Sequence, residues 1–164
     1  MSESPFKSER GILFLLRLAM AWTFLYAASH QVFEPGWSAT GFLAHTKTFH
    51  GLFVLFTGPV MGPITSFMVE WGHLLIGLSL LFGVFTSASA FFGLLLMILY
   101  WMAHMDFPYI TNTNNFLVDE HIVYALVLWQ VIARQAGHVW GLDGWLSKQD
   151  LVKKYGLLQW AAGA

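Results

Sequence analysis

Glu70 and His73 stand three residues apart inside Val69–Phe85, VEWGHLLIGLSLLFGVF, a run otherwise apolar enough to sit in lipid. An ionisable side chain in a bilayer is costly and faces a bundle interior or a wet cavity. Residues three apart are neighbours on a helix surface, so the two groups are expected on one face. A carboxyl beside an imidazole can share and pass a proton, which is acid–base chemistry. The alternative is a structural hydrogen bond that holds a helix bundle together.

His30, His104 and His121 fall at the ends of other apolar runs, close to Asp106, Asp119 and Glu120. Histidines and carboxylates converging from several helices are the raw material of a metal, haem or proton-relay site. His30, His73, His104 and His121 are therefore metal-ligand candidates. Each outer histidine also has a plain reading as a side chain at the membrane boundary. Asp119 and Glu120 open a helix, where carboxylates favour the positive end of the dipole. Glu-x-x-His, which di-iron bundles use twice, occurs once among the expected spans, so a di-iron site is not expected. Trp22, Tyr26, Trp71, Tyr100, Trp101 and Tyr124 lie near these polar residues and could wall a flat apolar ligand such as a quinone ring. His30, His104, His121, Tyr124 and Trp101 are the cofactor-binding candidates, beside Glu70 and His73 as the catalytic pair.

Four apolar segments must position these residues, at about 11–33, 64–84, 86–105 and 119–136. Each approaches the roughly 20 residues that span a hydrocarbon core. The first follows a basic flank but is too long for a signal-peptide core and is read as a retained span. Composition agrees: 57% of residues are hydrophobic and 10% charged. Ordinary soluble domains carry roughly 25% charged residues. The expected fold is an all-α integral membrane four-helix bundle, a single domain over residues 1–164. An interfacial or re-entrant helix is expected at about 39–57 in the first outer loop, and an interfacial tail over 137–164 with Trp140, Trp145 and Trp160.

Lys7, Arg10, Arg17, Arg134, Lys148, Lys153 and Lys154 gather toward the two termini, while the long loops carry only Lys47. The positive-inside rule then places both termini in the cytoplasm, and the setting is read as a prokaryotic cytoplasmic membrane. Arg17, about 9 Å into the first span, is expected to reach back to the surface or to pair with Asp143. Net charge of −1 gives no reason to expect nucleic-acid binding. The absence of cysteine excludes an iron–sulfur cluster, a thiolate metal site and disulfide exchange on this chain.

Three stretches carry a likeness: LLRLAMAWTFLYAASHQVF, EWGHLLIGLSLLFGVFTSASAFFGLLLM and DEHIVYALVLWQVIARQAGHVWGLDGWL. An arginine opens the first. A glutamate leads the second into a tight turn, and Gly-Leu-Asp follows the last helix of the third. In order and spacing the chain resembles the DoxX/DoxD family of small four-helix membrane proteins. The resemblance implies the membrane subunit of a thiosulfate:quinone oxidoreductase, which passes electrons to membrane quinone beside a second subunit, DoxA. Quinone is the cofactor so implied; haem or a metal stays open, as does assembly with partner subunits or further copies of the chain. The alternative is a non-catalytic anchor or assembly subunit of a larger redox complex. A small-molecule carrier is a weaker reading, because no internal repeat is visible.

Overall fold

The computed structural model describes residues 5–107, 109–110 and 117–164. In chain order its helices are α1 (Pro5–Ser29), α2 (Thr40–Leu43), α3 (His50–Phe53), α4 (Met61–Phe82), α5 (Thr86–His104), α6 (Glu120–Ala133), α7 (Asp143–Leu146), α8 (Asp150–Lys154) and α9 (Gly156–Ala161). Single 3₁₀ turns lie at Val54–Phe56 and Ala136–His138, and Met105–Asp106 pairs with Tyr109–Ile110 in a two-residue antiparallel bridge. Among the described residues three helices are long and apolar enough to cross a membrane: Ser8–Ser29 of α1, α4 and α5.

Several boundaries differ from those read in the sequence. α4 starts at Met61, not after Pro63, because a proline in the first helical turn forfeits no intrahelical bond. α1 ends at Ser29, and hydrogen-bonded turns carry the chain through His30 to Trp37. The expected span at 119–136 forms a 14-residue helix, about 21 Å long against a core of about 30 Å. Asp119 caps its start by accepting from the backbone of His121 and Ile122. Its end comes at Arg134, after which Gln135 turns left-handed (φ 48°). The segment at 39–57 is two short helices and a 3₁₀ turn rather than one interfacial helix, broken where Phe49 takes φ 57°.

The long helices contact one another in a ring: α1 with α4, α4 with α5, α5 with α6 and α6 with α1. Met20, Phe24, Leu80, Ala90, Met97, Leu128 and Val131 fill the space between them. Gly77 permits the α1–α4 approach, since a Cβ there would lie 2.7 Å from Leu25 Cγ. The outward faces carry exposed Leu15, Phe67, Leu75, Leu95, Leu126 and Trp129. Apolar surface this extensive fits a lipid bilayer rather than water.

The start of α1, residues 134–164 and the α4–α5 turn lie at one end of this arrangement, here the terminal end; residues 30–60, 105–107 and 117–119 lie at the other, the loop end. A polar knot ties the terminal end. Arg17 is fully buried and donates to the carbonyls of Ala136 (2.6 Å), Val139 (2.9 Å) and Trp140 (3.4 Å). Asp143, also buried, accepts from the backbone N–H of Phe85 (2.6 Å) and Thr86 (2.9 Å) at the start of α5. Burial pushes the Asp143 carboxyl above the usual carboxylate range, opposed by hydrogen bonds from Thr86 and Phe85 and by the nearby His138. The ion pairs among the described residues are Lys47–Asp106, His121–Asp119 and Arg134–Glu9. Arg17 thus neither reaches the surface nor pairs directly with Asp143. Carbonyls presented by the turns at Gln135 and Trp140 accept from its two terminal nitrogens instead, and Nε is left without a partner among the described residues. Gly141 is obligatory in this knot, since a Cβ there would meet Arg17 Nη1 at 2.7 Å and Gly83 Cα at 3.0 Å.

Candidate functional site

The loop end holds most of the residues singled out above, in two groups on either side of α4. His73 is buried at the centre of the first. Its Nδ1 lies 2.7 Å from Gln31 Oε1, just beyond α1, and its Nε2 lies 3.3 Å from the Tyr100 hydroxyl on α5. An amide oxygen only accepts, so Nδ1 carries the proton and Nε2 accepts from Tyr100. Phe24 packs on the imidazole with centroids 5.7 Å apart. Both ring nitrogens are engaged, so a metal or haem ligated by His73 would have to displace Gln31 or Tyr100.

Tyr100 extends this group toward the loop end. Its ring meets the edge of His121 at 5.8 Å, and His121 stacks on His104 at 5.0 Å. His121 Nδ1 donates to Asp119 Oδ2 at 2.9 Å, so Asp119 both caps α6 and fixes that imidazole. His104 Nδ1 donates to the Tyr100 carbonyl at 2.8 Å. Phe42 of α2 closes over the group, 5.1 Å from the His104 ring. The loop carrying α2 and α3 is held in place by the Lys47–Asp106 pair (2.6 Å) and by Phe107 N–H donating to Thr48 Oγ1 (2.7 Å).

Glu70 does not share this environment. It is half-buried and lines an open cleft of about 470 Å³ between α4 and the 37–59 segment. Trp37 and Phe67 give the cleft aromatic walls, and Ser38, Thr40, Thr57 and Ser66 give it hydroxyls. Ser66, one turn before Glu70, donates to the Gly62 carbonyl (2.9 Å) and accepts from Ala39 N–H (3.1 Å), which fixes the floor of the cleft. Glu70 makes no hydrogen bond or ion pair with any described residue. His73 is absent from the lining, so the one shared face expected for the pair divides into an inward imidazole and a cleft-facing carboxylate.

The other candidates scatter. His30 is exposed, bonded to the Tyr26 carbonyl (2.9 Å) and tilted against the Tyr26 ring at 4.6 Å, apart from the His73 group. Trp101 donates from Nε1 to the Leu117 carbonyl (3.0 Å), and Tyr124 packs against the core between the helices. Among the described residues no group of three or more His, Asp or Glu is placed to hold a metal ion. Gln31 and the four cleft hydroxyls were not singled out in the sequence. Ser66 was within reach, because residues four apart on a helix are neighbours.

No family model, no curated protein and no solved structure significantly matches the chain.

Proposed function

We propose that the chain is the membrane subunit of a respiratory-type oxidoreductase of the DoxD kind. It would pass electrons from a small reductant such as thiosulfate to membrane quinone, with the quinone ring in the Glu70 cleft. The observation that carries this reading is Glu70 itself: a half-buried carboxylate with no partner among the described residues, beside aromatic faces and hydroxyls in a cleft open to the surroundings. A quinone ring is flat and apolar, which suits the Trp37 and Phe67 faces, and the Ser38 and Thr40 hydroxyls, which bond each other at 2.8 Å, would turn to meet one of its two acceptor oxygens. Reducing it takes two electrons and two protons, and the Glu70 carboxyl is a group that can hand over a proton at the ring edge. His73 and Tyr100 fix the opposite side of α4, which keeps that helix in register with α1 and α5.

In this reading α6 completes a four-helix membrane bundle. Its short apolar length is accommodated by local thinning of the bilayer. Both termini face the cytoplasm, since Lys47 is the one Lys or Arg between residues 30 and 120. A partner subunit supplies the donor side. The family assignment rests on the three stretches quoted above.

Photolabelling with an azidoquinone in native membranes tests the site. Label on the peptides holding Trp37–Thr40 and Thr57–Glu70, displaced by unmodified quinone, is the expected result. Label that excess quinone does not displace, or none in the cleft, overturns it and favours a non-catalytic anchor.

A further inference from the structure

Charge is divided between the two ends. The loop end carries Glu34, Glu70, Asp106, Asp119 and Glu120 against Lys47 alone, and Lys47 is paired with Asp106. At the terminal end Arg10, Lys148, Lys153 and Lys154 are exposed. Of the acids there, Glu9 pairs with Arg134 and Asp143 is buried in the knot, which leaves Asp150 as the exposed counter-charge among the described residues.

The three lysines sit on a tail whose apolar side chains point outward. Trp145, Leu151, Tyr155, Leu157 and Trp160 are all exposed, and Lys154 lies over the Tyr155 ring at 5.5 Å. This tail is fastened to the helices. Val152, Ala161 and Ala162 are buried, α9 packs on α5, and His138 Nε2 donates to the Ala162 carbonyl at 2.9 Å. Trp160 meets Phe91 of α5 edge-on at 5.8 Å. Phe91 lies five residues into α5, about 7.5 Å along the helix at 1.5 Å per residue. Trp160 is therefore held within about two turns of the terminal end of that apolar helix, and Trp and Tyr favour the ends of membrane-crossing helices.

We propose that residues 145–160 form a binding surface for anionic phospholipid headgroups. Trp145, Leu151, Leu157 and Trp160 enter the acyl boundary while Lys148, Lys153 and Lys154 bind the phosphodiesters. Lysines close to an anionic surface draw it electrostatically, and flanking aromatic side chains set the depth. A zwitterionic headgroup also offers a phosphodiester, but its own ammonium offsets that charge, so the lysines gain less from it than from a net anionic lipid. The surface thus selects lipid charge, and the selection weakens with salt.

The test is native mass spectrometry of the purified, delipidated protein with equimolar phosphatidylglycerol and phosphatidylcholine. Wild type is compared with Lys148→Gln/Lys153→Gln/Lys154→Gln, whose exposed positions leave the fold unaffected. Wild type is expected to retain phosphatidylglycerol in preference. The triple variant should lose about fivefold or more of that preference, since even one lysine near the surface is worth about that factor. A Trp145→Ala/Trp160→Ala variant should bind less of both lipids with the preference intact. Equal retention of the two lipids by wild type, or an unchanged preference in the triple variant, overturns the proposal.

Discussion

Replacing Arg17 by Met tests the knot that closes the terminal end. The guanidinium is fully buried and reaches the carbonyls of Ala136, Val139 and Trp140. The Ala136 carbonyl also accepts from Val139 N–H (3.1 Å), so it keeps a partner after the change. The buried Val139 carbonyl loses its partner, at about 1–3 kcal/mol, and the part-buried Trp140 carbonyl loses a long bond (3.4 Å) worth about 1 kcal/mol. Arg17 Nε is already buried without a partner, so removing it recovers part of that cost. The net loss comes to about 1–3 kcal/mol, out of a stability of about 5–15 kcal/mol for a typical domain. At about 2–4 °C per kcal/mol for a chain near this size, the melting temperature should fall by about 2–12 °C. Thermal unfolding followed by tryptophan fluorescence in mild detergent reads the shift. Arg17→Lys should fall between the two, because an ammonium keeps donors but lacks the fork that spans these carbonyls. Melting of Arg17→Met within about 2 °C of wild type would refute the assignment of Arg17 as the donor that holds this turn.

Other perturbations follow from the same contacts. Asp143→Asn leaves one oxygen for two backbone donors, Phe85 and Thr86, and should cost about 1–3 kcal/mol in the same melt. Burial makes Asp143 hold its proton to higher pH than in the unfolded chain. Its linkage contribution is therefore complete below the ordinary carboxylate value of about 4 and is lost as pH rises through the folded value. Wild type should lose more melting temperature than Asp143→Asn over that rise, and parallel curves would count against it. Tyr100→Phe removes the donor to the buried His73 Nε2 and should lower stability by about 1–3 kcal/mol, while an unchanged melt would mean another donor takes its place. Asp106→Asn breaks only the exposed pair with Lys47 and should change stability by less than about 1 kcal/mol, a larger loss indicating that the loop closure depends on it.

The three helices long and apolar enough to cross a membrane were legible because long apolar runs are a one-dimensional signal. α1, α4 and α5 appear where those runs lie, within a few residues at each end. The fourth helix was read too long, because Gln135 leaves the helix by a left-handed turn that its residue type does not announce. The Arg17 partners were out of reach for a related reason. They are backbone carbonyls presented by the turns at Gln135 and Trp140, and composition carries no trace of a carbonyl. Glu70 and His73 stood out as polar residues in an apolar run. Their division between two environments depends on how α4 is rotated against α1 and α5, which a single helix does not specify. Gln31 and Tyr100 became visible only with that rotation, and Ser38, Thr40 and Thr57 only once the 37–59 segment lay against α4.

Quinone reduction by Glu70→Gln tests the central claim most directly. The assay follows thiosulfate-dependent reduction of a short-chain quinone in membranes that contain the protein, and a thermal melt confirms that the variant is folded. Glutamine keeps the size and polarity of the cleft wall but cannot deliver a proton. The account predicts a fall of about 100-fold or more, the lower range of what one acid–base group contributes. A folded Glu70→Gln protein that reduces quinone at the wild-type rate would contradict it.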